Sequence, residues 1–267
     1  MDPVPDPVRT ISRNTLKLAA IFFMLLNHIA WIFLPEDTFV CDLLTGIGYF
    51  TAPVMCYLLA EGIFLTQSVR RYLLRLFLFA LLSQVPYDLA FTKDTVITFS
   101  GLNMIYTLWI SLLLLMVHTR PLPEPVKWIL SVLLVLATVL ADWGILAPVF
   151  TLMFYFAGNT QKAKREVWAL VVLITGITFA KWTAAIGPLL AAVCVVCFYK
   201  SPLDLSAGSP EDAEAGQAER EGHAEKAGQK EKGNKKERVS ALSQWFFYLF
   251  YPLHLLILGL IRIYLKL

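Results

Sequence analysis

Residues 16–34 read LKLAAIFFMLLNHIAWIFL. Only Lys17 among them is formally charged. At about 1.5 Å per residue the stretch makes a helix of about 28 Å, close to the ~30 Å hydrocarbon thickness of a bilayer. It is too long for a signal-peptide core, and no small-x-small site follows it, so it reads as a retained span. Inside it sits an Asn27-His28 pair. The stretch therefore predicts both a membrane helix and a polar exception to it.

Working outward, the same apolar pattern recurs. It predicts nine helical spans, over residues 16–34, 43–66, 72–91, 102–118, 126–141, 143–158, 167–180, 182–199 and 242–265. The fifth to eighth are short, and one pair of them could instead form a re-entrant hairpin. In lipid, backbone groups must be satisfied internally, so the pattern means helices. The ten-residue alternation of a β-barrel is absent. The expected fold class is all-α, a polytopic helical membrane bundle.

Composition agrees. The 267 residues are 57% hydrophobic and 16% charged, with a mean hydropathy of +0.63. Soluble domains carry about a quarter charged residues. The balance excludes a disordered chain, a collagen and a disulfide scaffold. A net charge of +3 does not point to nucleic acid.

Charge is also uneven. Residues 200–238 hold 17 of the 43 charged side chains, 8 basic and 9 acidic. Residues 206–238 lack any aromatic or large aliphatic side chain and cannot bury enough surface to order themselves. The expected organisation is a membrane bundle over 1–199, a flexible charged cytoplasmic linker over 200–240, and a final span within 241–267. His223 lies in the linker and is expected to be idle.

Orientation follows from Lys and Arg near helix ends. With the N-terminus in the cytoplasm, Arg9, Arg13, Lys17, Arg70, Arg71, Arg75, Arg120, Lys127, Lys162, Lys164 and Arg165 fall inside, and Lys93, Lys181, Arg262 and Lys266 outside. The bias predicts an inside N-terminus and, with nine spans, an outside C-terminus. Cys41, Cys56, Cys194 and Cys197 form no secreted framework. The Cys194–Cys197 spacing lies in an apolar run with no His nearby, so packing is expected there and no metal.

Ionisable residues within spans are costly, and each is by default a functional candidate. His28, beside Asn27, must face other helices, and imidazole is suited to proton transfer near neutrality. Glu61 follows the apolar run 54–60 and needs a cation or a shared proton; Arg75, His28 and His254 are the candidate partners. Arg70 and Arg71 are anchors at the start of the third span. Arg75, one turn deeper, could clamp a phosphate or carboxylate. Pro86 is expected to break that helix near its outer end, beside Ser83, Gln84 and Asp88. Asn103 and Asp142 sit at outer boundaries, where solvation is the plain expectation. His118 reads as a surface residue. In the run Tyr251-Pro252-Leu253-His254 a proline precedes a second intramembrane His.

At these residues the chain resembles the TraX family of bacterial membrane proteins. The resemblance runs through Leu16-Lys17 to Asn27-His28, then YLLAEGIFLT (57–66), YLLRLFLFALLSQVPYDL (72–89), Leu102-Asn103 to Thr107, Ala141-Asp142-Trp143-Gly144, and WFFYLFYPLHLL (245–256). It covers nearly the whole chain except the charged insert. Asn27 stands where an acidic residue is expected before the His.

The resemblance implies an enzyme of the cytoplasmic (inner) membrane related to membrane acyltransferases, moving acetyl from acetyl-CoA to an amine or hydroxyl of an envelope acceptor: a pilin-like N-terminus or a glycan. Under it, His28 is the catalytic candidate and His254 a supporting one; the mechanism expected from these residues has His28 as general base or, alternatively, a transient acetyl carrier, His254 and Asn103 on the oxyanion or acceptor side, and Glu61 or Asn27 orienting His28. Asp142 supports the site. Arg75, with Arg70 and Arg71, meets the anionic end of acetyl-CoA. The rival classes are a proton-coupled transporter or flippase, and a non-catalytic conjugation or secretion component. Kinks at Pro86 and Pro252 lack the internal repeat that transporters often show.

Overall fold

The computed structural model describes residues 11–92, 98–158, 160–199, 201 and 234–265, with side chains of the last helix from 245 onward. Arg9, Lys93, Lys266, His223 and most of the charged insert lie outside the described residues. No β-strand occurs among the described residues, only two isolated bridges. The fold is all-α.

The helices are α1 (Arg13–Phe33), α2 (Phe39–Gly48), α3 (Thr51–Leu65), α4 (Val69–Phe91), α5 (Met104–Thr119), α6 (Glu124–Leu136), α7 (Leu146–Ala157), α8 (Gln161–Phe179), α9 (Ile186–Val193) and α10 (Asn234–Leu265). A 3-10 turn (Trp182–Ala185) precedes α9, and a π turn (Cys194–Phe198) follows it. Side-chain caps set several starts. Ser12, Thr38, Ser68, Asn103 and Thr160 each accept a backbone N–H from the first turn that follows.

Helix α3 is the centre of the core. Nearly every residue from Thr51 to Ile63 is buried, and Val54 and Cys56 are fully so. A helix apolar on all sides must be surrounded. It packs on α7, α1 and α5, while α10 lies along α4. The outward faces carry large exposed apolar side chains, among them Leu18 and Phe22 on α1, Leu78 and Leu81 on α4, and Ile129 and Val132 on α6. Among the described residues, four helical stretches are long and apolar enough to cross a bilayer: Arg13–Phe33, Phe39–Leu65, Val69–Phe91 and Trp245–Leu265. A coat this apolar has lipid, not water, as its solvent. The chain is a membrane protein.

Three details differ from the sequence expectation. The span expected over 43–66 lies within one apolar stretch, Phe39–Leu65, but its helix is interrupted by a turn at Tyr49-Phe50. Backbone closely approaches this turn: a Cβ on Gly187 would lie 2.3 Å from the Phe50 nitrogen and 2.5 Å from the Gly46 oxygen. Only bare backbone lets α9 sit on that turn. Pro86 does not break its helix; α4 runs unbroken to Phe91. The final helix begins at Asn234, earlier than the expected 242, because the stretch 234–242 is built from Lys, Glu, Arg and Ala among other residues that tolerate a helix.

Candidate functional site

The two intramembrane histidines meet. His28 lies near the C-terminal end of α1 and His254 in the middle of α10, 226 residues apart. His28 Nδ1 and His254 Nε2 are 2.7 Å apart. The rings are parallel, with centroids 5.0 Å apart. His254 Nδ1 lies 2.8 Å from the carbonyl oxygen of Phe250, one turn back on α10. Both side chains are buried.

This chain of bonds assigns the tautomers. A carbonyl only accepts, so His254 Nδ1 must donate to it. In the neutral ring His254 Nε2 then carries the lone pair and accepts from His28 Nδ1–H. His28 Nε2 is left with its own lone pair. It has no hydrogen-bond partner among the described residues, and it is not one of the buried orphan atoms. The arrangement is a base held in one tautomer by a second ring, which is itself pinned to the backbone. Phe91 and Tyr251 close on His28 edge-on, at 5.4 and 6.4 Å between centroids.

His28 forms part of the wall of a cavity of about 650 Å³. Asn27, Asp142, Trp143, Tyr251 and Arg262 line it too, as do Pro35, Glu36 and Ser100. Tyr251 is held in place because its hydroxyl accepts from the Met104 backbone nitrogen at 3.3 Å.

The Asp142-Trp143 wall is built by a strapped turn. Leu102 nitrogen donates to Leu140 oxygen at 3.0 Å, the Asp142 nitrogen donates to Leu102 oxygen at 2.7 Å, and Thr107 Oγ1 donates to Asp142 oxygen at 2.7 Å. Trp143 adopts φ 56°, left-handed backbone that non-glycine residues seldom hold. Its ring packs edge-on against Tyr49 and Phe179. Burial pushes the Asp142 carboxyl up to about 6, against a partial opposing pull from the Trp143 backbone N–H.

Other candidates lie elsewhere. Glu61 touches none of its expected partners. Its carboxylate meets Arg13 at 3.2 Å and accepts from the Tyr199 hydroxyl at 2.8 Å and from Ser201. Arg13 also donates to Leu58 oxygen at 2.8 Å. Arg13 precedes His28 by 15 residues, about 22 Å along α1. Glu61 therefore latches the opposite end of the bundle and does not orient His28. Asn27 does not orient it either, since its amide donates to Thr45 oxygen at 3.0 Å. Among the described residues, the group that meets His28 Nδ1 is the His254 ring nitrogen.

Asn103 is fully engaged. Its Oδ1 accepts from the Ile105 and Tyr106 nitrogens, and its Nδ2 donates to Ala80 oxygen and Gln84 Oε1. At 1% exposure it clamps α5 to α4 and has no donor left for an oxyanion. Arg70 and Arg71 are exposed, whereas Arg75 is half-buried. Arg75 instead lies over the Tyr72 ring at 5.8 Å and beside the Tyr248 hydroxyl, in a group that includes Arg13. Arg75 Nε and Arg13 Nε are buried without partners. His118 bonds Ser131 across α5 and α6 at 2.9 Å.

Sequence reasoning missed Arg262, which was expected to be an outer anchor. It is buried in the cavity wall.

The order of these motifs has a counterpart in known proteins. A model of the TraX protein family matches residues 12–208. That is most of the chain. The protein belongs to the TraX family. Among curated relatives, the Dichelobacter nodosus protein named "Probable fimbrial assembly protein FimC, serogroup H1" is 31% identical over 164 residues, 59% of this chain and 67% of that protein. The TraX match takes in His28, Glu61, Arg75 and Asp142, whereas His254 and Arg262 lie beyond it. No solved structure matches the chain.

Proposed function

We propose that this TraX-family protein is a multi-pass acetyltransferase of the bacterial cytoplasmic membrane, with its N-terminus inside. It moves acetyl from acetyl-CoA to an amine or hydroxyl of an envelope acceptor, with a fimbrial or pilin-like subunit the first class to test. The observation that carries this is the Phe250–His254–His28 chain, which ends in an unpaired imidazole nitrogen at a cavity. The fimbrial-assembly name of the relative supports the choice of acceptor.

In this reading His28 Nε2 takes the proton of the attacking amine or hydroxyl. The charge that appears on the imidazole is stabilised through Nδ1–H by the His254 lone pair, and His254 is kept from turning by the Phe250 carbonyl. His28 then returns the proton to the leaving group. The cavity walls hold the acceptor and limit water around the reacting atoms.

Acetyl-CoA would supply the acetyl group as a thioester. The residues that fit its anionic end are Arg75, Arg13 and Lys17, joined by Tyr72 and Tyr248, since two of the guanidinium groups there have buried unpartnered Nε atoms. Lys17 also lies over the Phe247 ring at 5.1 Å. With the N-terminus inside, this group is at the cytoplasmic end of α1 and α4, and His28 is nearer the outer face.

The test is an acetyl-CoA-dependent transfer assay in membranes carrying His28→Ala or wild-type protein at matched levels. It is read together with mass spectrometry of envelope proteins for an acetyl group that disappears. Full activity in His28→Ala overturns the base assignment.

A further inference from the structure

Arg262 has no part in the acid–base chain, yet it is buried in the wall of the same cavity. Its side chain is 7% exposed and lines the same cavity as His28 and Asn27. The position depends on Gly259, one turn earlier on α10. A Cβ there would lie 3.0 Å from Leu89 Cγ and 3.1 Å from the Leu89 carbonyl carbon. This close approach lets Arg262 Nη2 donate to Leu89 oxygen at 3.2 Å. Leu89 is in the last turn of α4, where carbonyls have no helical partner.

That bond uses one of the five N–H groups of a guanidinium. Nε is buried with no partner. No carboxylate among the described residues lies within ion-pair distance of Arg262. A guanidinium stays charged at any pH a cell offers, and burying it without a counter-ion is costly. A C-terminal cap for α4 explains the bond to Leu89 and leaves the charge unanswered. Asp142 and Glu36 line the same cavity, so its field is mixed. One localised anion fits better than a polyphosphate chain.

We propose that the Arg262 end of the cavity is an oxyanion subsite that receives a carboxylate or phosphate group of the cavity's ligand. The planar fork of N–H groups left over by Leu89 matches two oxygens of such a group. His254 and Arg262 are eight residues apart on the buried face of α10, so the subsite lies about 12 Å along the helix from the histidine pair. If acetyl transfer occurs at His28, the acceptor carries an anionic group at about that remove from its reacting atom. This clause rests on the acyltransferase reading; the anion site does not.

The experiment uses full-length protein purified in a non-ionic detergent stripped of phospholipid, with no acetyl donor present. Tryptophan fluorescence, to which Trp31 and Trp143 in the cavity wall contribute, is titrated with phosphate, acetate or chloride at constant ionic strength. The expected result is a saturable change with phosphate or acetate and none with chloride. Arg262→Gln weakens it by roughly tenfold or more, and Arg262→Lys retains part of it. Loss of the phosphate response when phosphatidylglycerol is added assigns the group to a lipid head group, and persistence assigns it to a soluble acceptor. A wild-type protein without a saturable oxyanion response overturns the proposal, as does an equal response in Arg262→Gln. Should Arg262→Gln fail to fold, the chloride comparison and Arg262→Lys decide. Because no donor is present, failure of the acetyl-transfer reading leaves this outcome intact.

Discussion

His28 and His254 share one hydrogen bond of 2.7 Å, and the second ring nitrogen of His254 is tied to its own helix. The direction of the bond follows from that tie. The pair is therefore asymmetric: one ring faces the cavity and the other holds it.

The asymmetry separates the two substitutions. His28→Ala removes the base, and the transfer rate falls by about 10²–10⁴. His254→Gln leaves the base but frees its orientation. It lowers kcat by less, leaves KM for the acceptor nearly unchanged, and moves the pH–rate profile. Steady-state kinetics across pH 5–9 distinguish the two. Equal losses with unshifted profiles would mean that both rings act only in packing.

Glu61 gives the opposite expectation. Its side chain is 3% exposed and pairs with Arg13. Glu61→Ala leaves a largely buried guanidinium without its counter-ion, which costs about 3–5 kcal/mol. The double variant Arg13→Ala with Glu61→Ala loses less. Thermal unfolding in detergent reads both, and acetyl transfer per folded molecule of Glu61→Gln, which keeps Arg13, stays near wild type. A folded, stable and inactive Glu61→Gln would return Glu61 to the chemistry.

How far the sequence carries depends on the range of each contact. The apolar runs show the helices because hydropathy is local. The polar exceptions at His28, Glu61, Arg75 and His254 are visible for the same reason. Pairing is not local. Arg13 reads as an ordinary anchor at the start of α1, and nothing in the chain ties it to Glu61. The turn at Tyr49-Phe50 packs against Gly187, far along the chain. Arg262 did leave a signal: Tyr251, His254, Leu258 and Arg262 recur at helical spacing on one face. A cation in register with a buried His is not a free anchor.

Asp142 gives the protein a pH dependence of known sign. Its folded value is raised from 3.8 to about 6, so the folded state holds the proton more tightly than the unfolded chain. The contribution to stability is fully present below about pH 4 and is lost as pH rises through 6. Asp142→Asn removes this slope. Melting temperatures of both proteins from pH 4 to 7, compared as a difference, isolate it from other titrating groups. An unchanged difference across that range would show that the carboxyl is solvated in the folded protein.

Asn103 provides a test of the α4–α5 clamp that no surface role would pass. Asn103→Ala loses the cap and costs about 1–2 kcal/mol, and it also removes the side-chain amide bonds to Ala80 oxygen and Gln84 Oε1, leaving Gln84 Oε1 only the 3.3 Å bond from the residue-103 backbone nitrogen. Asn103→Asp keeps both cap bonds to the Ile105 and Tyr106 nitrogens. It turns the other oxygen toward Ala80 oxygen and Gln84 Oε1, two acceptors that had each received an N–H. Three acceptors then face one another in a fully buried space. At neutral pH Asn103→Asp is therefore less stable than wild type despite its better cap charge. Acidification restores the missing donor as a carboxyl O–H, so the deficit shrinks as pH falls. A solvent-exposed Asn103 would give the reverse: a neutral or slightly stabilising Asp whose benefit disappears in acid.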